Sequence, residues 1–250
     1  MKICRILFWS IHQKFGGKLK LVISGGAPLD LEVAKKWKAL GINIIQGYGL
    51  TETSPVVSLL PEKDRNLASL GKVIPGIEVR IAEDSEILIK GPNVFQGYWK
   101  NLEKTKEAFQ GEWFKTGDMG YFDEKRYLYI KGRKKFMILT ESGQNVYPED
   151  IETELNKKEE IEDSCVTELK KGGRTFIHAV LLTKEKEEKV QEIIDRVNQK
   201  LTSFQQIQSW SLWPFPDFPR TIIRKVKRLQ VLEYLEKSII PKKVKISEKE

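Results

Sequence analysis

The sequence predicts an α/β fold, α+β overall, in which a βαβ unit and a small β-barrel are followed by a smaller α/β domain. Three observations predict it. Between Leu19 and Thr53 the pattern runs strand, helix, strand, with a Gly-rich turn after each strand. From Gly71 the texture changes to short alternating β segments. After Arg133 a hairpin, a Pro-opened helix, paired strands and two further helices follow in a second, smaller unit.

The first fifteen residues hold Ile3, Leu7, Ile11 and Phe15 at helical spacing, which predicts an amphipathic helix packed on a core. The apolar run Ile6-Leu7-Phe8-Trp9 is too short for a signal peptide, and no run is long enough to span a bilayer. Leu19–Ile23 reads as a strand ending in Ser24-Gly25-Gly26-Ala27-Pro28. Asp30 caps a helix with Val33, Ala34, Trp37 and Leu40 on one face, and Gly41 stops it. Ile42–Ile45 is a buried strand that leads into Gln46-Gly47-Tyr48-Gly49-Leu50-Thr51-Glu52-Thr53. That order sets a ring surface between glycines, then a hydroxyl, then a carboxylate suited to a hard cation such as magnesium. Both Gly-rich turns leave the carboxyl ends of neighbouring parallel strands, where open α/β sheets bind ligands. A GYG turn alone is more often only a turn; the pair points to a nucleotide-sized ligand.

Glu78–Ile81 and Glu86–Ile89 form a predicted hairpin around Asp84-Ser85, and Asn101 caps a short helix through Phe109. Trp113-Phe114-Lys115 leads to Thr116-Gly117-Asp118, and Tyr127–Ile130 to Gly132-Arg133, which places Asp118 and Arg133 at strand ends. Phe136–Leu139 and Gln144–Tyr147 make a hairpin around Ser142-Gly143, and Pro148 opens a helix with Glu149, Asp150 and Glu152 near its start. Strands at Cys165–Leu169 and Phe176–Leu182 enclose Gly172-Gly173; a charged helix covers 184–201; Gln208–Trp213 is a strand. Pro219-Arg220-Thr221-Ile222-Ile223-Arg224-Lys225 is a Pro-bounded loop, and Leu229, Leu232 and Leu235 mark a last helix.

Composition, at 40% hydrophobic and 31% charged, is that of a globular chain, and two cysteines imply no disulfide framework. The net charge of +8 is lysine-heavy and dispersed, so a small polyanionic ligand accounts for it without nucleic acid.

Taken together the chain resembles the adenylate-forming acid–CoA ligases, nearest their long-chain fatty acid branch. The resemblance rests on Ser24–Leu29, Gly47–Glu52, Glu86-Ile87 with Gly91-Pro92 and Gly97-Tyr98-Trp99, Trp113–Asp118, Gly132–Lys135, Asn145–Glu152, and Pro219-Arg220-Thr221 with Lys225, in family order. It implies the C-terminal part of the large AMP-binding domain at 1–132, a small mobile domain at 133–237 and a basic tail at 238–250. It implies that Gly25, Gly26, Ala27 and Pro28 line one side of adenine. Tyr48 lies on the other side, within Gln46, Gly47, Gly49 and Leu50. By the same resemblance Thr51 would contact phosphate, Glu52 would hold Mg2+, and Asp118 with Arg133 would bind the ribose. It further implies that Lys135 is the hinge, that Ser142 and Gly143 line the CoA tunnel, and that Lys225 bridges the carboxylate and the α-phosphate.

ATP, a fatty acid and CoA are the implied substrates, with an acid–acyl carrier protein ligase or a non-catalytic nucleotide- or partner-binding remnant as alternatives. The family's Gly-rich phosphate loop and most of its acyl pocket have no counterpart in these residues, so a separate polypeptide carrying that half is the expected partner. A cytoplasmic location is expected, with peripheral membrane contact left open. Ser85 and Arg224 stand where the family often has glycine.

Overall fold

The computed structural model describes residues 2–27, 29–62, 64, 66–222, 224–239 and 245–246. The chain divides into two compact units, Met1–Lys131 and Gly132–Glu250.

The first unit opens with two short helices, α1 (Lys2–Leu7) and α2 (Trp9–Lys14), broken at Phe8. The expected single helix with a buried i, i+4 face does not form. Leu7 is 73% exposed, and the buried residue is His12, whose Nε2–H donates to the Leu40 carbonyl over 2.8 Å. Strand β1 (Leu21–Ser24), helix α3 (Leu31–Ala39) and strand β2 (Asn43–Tyr48) form the βαβ unit, with β1 and β2 parallel. Asp30 Oδ1 accepts from the Val33 amide at 2.9 Å, and Gly41 takes φ +88° just past the helix. Strand β2 runs on through Tyr48 rather than stopping at Ile45, because Gly47 and Tyr48 pair with Leu59 and Ser58. Strands β3 (Ser58–Leu59) and β4 (Lys72–Val73) complete a sheet ordered β1-β2-β3-β4.

Strands β5 (Glu78–Ile81) and β6 (Glu86–Lys90) form the expected hairpin, and Ser85 sits at φ +71° in its turn. Helix α4 (Leu102–Ala108) is capped by Asn101, whose Oδ1 accepts from the Lys104 amide at 3.0 Å. Strand β7 (Phe109–Gln110) and the long β8 (Trp113–Phe122) follow, then β9 (Leu128–Arg133) beside β8. The sheet order is β5-β6-β8-β7, with β9 on β8. Asp118 therefore lies inside β8 and not at a strand end. Gly117 at φ +69° inserts an irregularity between β6 and β8, and the strand continues past it. Tyr48, Val57, Ile87, Ile89 and Leu128 are core residues here.

In the second unit β10 (Ile138–Leu139) and β11 (Asn145–Val146) pair around Ser142-Gly143, and Pro148 is the first residue of α5 (Pro148–Leu155). Strands β12 (Asp163–Lys171) and β13 (Arg174–Leu182) form a long hairpin; β14 (Ser209–Leu212) lies parallel to β13. Helix α6 (Glu187–Asn198) buries Val190, Ile193, Ile194 and Val197, the one-face spacing of an α-helix. Each contributes about 1.5–3 kcal/mol of burial before conformational entropy is counted. Alternation along β13 sends Ile177, Ala179 and Leu181 to the α5–α6 core and Val180 and Leu182 to the opposite core. That second core is closed by α7 (Arg228–Tyr234), which continues as a π-helical turn over Leu235–Ile239. Its buried residues are Val231 and Leu235, while Leu229, one of the leucines that mark this helix in the sequence, is 60% exposed. The 238–250 segment lies largely outside the described residues, but it is not all solvated tail: β15 (Lys245–Ile246) pairs with β14. No described helix is long and apolar enough to cross a membrane.

Candidate functional site

The two Gly-rich segments start side by side because β1 and β2 are parallel and in register, Ser24 opposite Gln46. Gly25, Gly26 and Ala27 are exposed, with Gly26 at φ +81°; Pro28 lies outside the described residues. Gln46 is buried and locks the two segments together. Its Oε1 accepts from the Leu29 amide at 3.0 Å, and its Nε2 donates to the Leu67 carbonyl at 2.9 Å.

Gly47 is a strand residue whose Cβ would sit 3.1 Å from Leu59 Cδ1. Gly49 is a steric requirement: a Cβ there would lie 1.6 Å from the Pro55 carbonyl oxygen. Leu50 is half-buried and anchored by Thr53, whose Oγ1 accepts its amide at 2.9 Å. Thr51 is exposed and Glu52 half-buried, both on the short 3-10 turn Thr51–Thr53.

Tyr48 and Asp118 meet. The Tyr48 hydroxyl donates to Asp118 Oδ2 at 2.8 Å across seventy residues of sequence, and the two residues are 8% and 2% exposed. The sequence reading treats them as separate surfaces; the structure joins them into one buried pair. The Asp118 amide donates to Thr116 Oγ1 at 3.0 Å, Thr116 Oγ1 donates to the Ile87 carbonyl at 2.7 Å, and the Gly117 amide donates to Glu86 Oε1 at 2.9 Å. These bonds fix the irregularity that aims the carboxylate. Glu86, matched by its motif but given no role from sequence, is thus a support of the Asp118 strand.

Glu52 Oε1 accepts from the Tyr98 hydroxyl at 3.1 Å. Among the described residues no cluster of three His, Cys, Asp or Glu exists. One carboxylate on a short turn fits magnesium, which keeps several waters and is held by one or two carboxylates plus substrate phosphates.

Arg133, Lys135, Ser142, Gly143 and Lys225 belong to the second unit. Arg133 is half-buried at the end of β9; Lys135 is exposed on the 3-10 turn Lys134–Phe136, its Nζ 4.7 Å from the Phe136 ring centre. Ser142 and Gly143 are exposed at the hairpin tip, Gly143 at φ +75° with no atom within 4 Å of an added Cβ. Lys225 is exposed on a tight turn in which the Thr221 amide donates to its carbonyl at 2.8 Å and its amide donates to Thr221 Oγ1 at 3.1 Å. Arg224 occupies φ +65° beside it, a conformation that costs a non-glycine residue about 1 kcal/mol. Arg220 braces the turn: its guanidinium binds both oxygens of Asp217 and reaches Asp163 at 2.7 Å. That pairing holds the Asp217 carboxyl below its ordinary pKa.

Sequence reasoning missed a buried charge cluster in this unit. Arg228 of α7 binds both oxygens of Glu152 and the Val166 carbonyl, and lies 3.6 Å from Glu149. Burial pushes the Glu149 carboxyl up, partly offset by Arg228. A Cβ at Gly132 would come within 2.5 Å of the same carboxylate. The i, i+3 spacing of Glu149 and Glu152 was the available signal, since it sets both on one helix face.

Residues 6–99 match the AMP-binding enzyme family. A long-chain-fatty-acid–CoA ligase from Mycobacterium bovis is 41% identical over 177 residues, which cover 71% of this chain and 29% of that protein. A 2-succinylbenzoate–CoA ligase from Listeria innocua is 39% identical over 150 residues, 59% of this chain and 32% of that one. Among solved structures, ATP-bound MatB from Rhodopseudomonas palustris superposes with a TM-score of 0.78 at 30% identity, over 90% of this chain and 47% of that one. The chain thus spans under a third of the length of these curated relatives and about half of the solved structure.

Proposed function

We propose, on the premise that the chain belongs to the AMP-binding enzyme family through residues 6–99, that it forms the adenylate-binding and mobile-domain portion of an AMP-forming acid–CoA ligase. The observation that carries the reading is the Tyr48–Asp118 pair, which unites the motif after β2 with the Thr-Gly-Asp motif of β8. Gly25–Ala27 and Tyr48 flank adenine, Asp118 and Arg133 take the ribose hydroxyls, and Thr51 contacts phosphate. Magnesium held by Glu52 supplies charge neutralisation on the phosphates.

In the first half-reaction a carboxylate oxygen bonds to the α-phosphorus and pyrophosphate leaves. Both reactants are anions, so Lys225 contributes by position and charge. In the second, the CoA thiol sulfur bonds to the acyl carbon, losing its proton, and AMP leaves. Lys135 is the hinge that exchanges the Lys225 turn for the Ser142-Gly143 tip. A long-chain fatty acid is the preferred acid, supported by the length of the match to the mycobacterial ligase, 177 residues against 150 for the succinylbenzoate ligase.

The relatives carry more sequence than is matched here, and the complete site requires such sequence, in the same chain or a partner. The test is acid-dependent ATP–pyrophosphate exchange, by this chain alone and mixed with a polypeptide carrying a family phosphate loop. Exchange in the mixture supports the reading, as does its loss in Lys225→Ala with thioester formation from preformed acyl-adenylate retained. Equal loss of both half-reactions would overturn the role of Lys225. Exchange absent with every acid and every complementary half would overturn the ligase reading.

A further inference from the structure

The segment from Asn93 to Tyr98 is tied to the Thr51–Thr53 turn three times over. Asn93 Nδ2 donates to the Thr53 carbonyl at 2.8 Å, the Phe95 amide donates to the Glu52 carbonyl at 2.8 Å, and the Tyr98 hydroxyl reaches the Glu52 carboxylate at 3.1 Å. We infer that Tyr98 is a positioning residue for Glu52: its hydroxyl holds one carboxylate oxygen so that the group meets a nucleotide-bound divalent cation in a single orientation. The inference rests on the reading of Glu52 as the cation's protein ligand.

Tyr98 is built to do this. Its amide donates to Thr105 Oγ1 at 2.9 Å, Thr105 Oγ1 donates to the Asn101 carbonyl at 2.8 Å, and its ring meets Phe95 edge-on at 4.8 Å. Gly97, at φ +147°, lets the backbone pass where a Cβ would lie 2.5 Å from Thr105 Cγ2. The glycine, the ring and the α4 cap therefore fix the phenol before any ligand arrives. An ionised carboxylate only accepts, so the phenol is the donor in this bond. A carboxylate on a three-residue turn would otherwise swing freely, whereas magnesium demands near-octahedral geometry and gains from an oriented ligand.

The test uses the full chain together with the complementary polypeptide that supports exchange, ATP, and Mn2+ as a paramagnetic probe read by electron paramagnetic resonance. Tyr98→Phe removes only the hydroxyl. It is expected to weaken Mn2+ binding at saturating ATP by roughly tenfold, with the melting temperature and metal-free ATP affinity at wild-type values. The comparison variant leaves Tyr98 intact: Glu52→Gln should lose Mn2+ binding at the same ATP concentration. Loss of Mn2+ binding in Glu52→Gln with none in Tyr98→Phe would overturn this inference alone. Wild-type Mn2+ affinity in Glu52→Gln, or no Mn2+ binding by wild type, would overturn the reading of Glu52 and this inference with it.

Discussion

His178 shows how one residue can set the pH response of a fold. It is fully buried in β13, with Nδ1 on Ser209 Oγ at 2.8 Å and Nε2 on Ser211 Oγ at 3.0 Å. Burial pushes its pKa down to about 4. The unfolded chain takes up this proton near pH 6.5, so it binds more protons than the native state between the two values. Stability is therefore complete above about pH 6.5 and falls by up to about 3 kcal/mol as the pH drops toward 4. Glu149, raised by burial, acts in the opposite sense at the lower end. Urea unfolding from pH 4 to 7 should give a steeper slope for wild type than for His178→Gln; equal slopes would refute it. Neither His178 nor the true setting of Asp118 was legible in the sequence. Thr-Gly-Asp reads as a turn, and only the β6 register and the Glu86 bond reveal a strand that continues through it. Gly49 was legible as a glycine that matters, but the reason lies in Pro55, which a β2 boundary at Ile45 could not bring near.

Among elements, α5 and α7 are joined by Arg228, whose side chain is 12% exposed, and Glu152, at 16%. Removing one partner strands the other charge. Arg228→Met should cost about 3–5 kcal/mol in urea unfolding, and adding Glu152→Leu should recover most of it. A double variant no more stable than the single would contradict this. Elements whose signals are local read well. Asp30 and Asn101 cap α3 and α4, Pro148 opens α5, and the Gly172-Gly173 turn closes the β12–β13 hairpin. Those decided by a distant neighbour read poorly. The Leu7 spacing allows a buried face, but Leu40 offers His12 an acceptor instead, and the chain breaks at Phe8. In α7 the cores formed with Trp213 and Phe218 select Val231 and Leu235 over Leu229.

At the scale of the molecule, each of the core clusters formed by described residues lies within a single unit. A 132–250 fragment should therefore unfold in one cooperative calorimetric transition that coincides with a transition of the full chain; a fragment without a transition would show that its cores depend on residues before Gly132. Both units combine local pairing with a long reach, Arg228 to Glu152 across seventy-six residues in the second. The β12–β13 hairpin pairs neighbours in sequence, whereas the Tyr48 hydroxyl waits for an aspartate seventy residues further on. At about 5–20 residues per second, synthesis takes about 4–14 s to cover that stretch. Through that interval the β1–β2 ribbon stands on the ribosome without its β8 companion, its apolar strand open to whatever else is being made nearby. The same long reach that builds the ring–carboxylate pair leaves the first unit unfinished during synthesis, as the seventy-six residues between Glu152 and Arg228 leave the second.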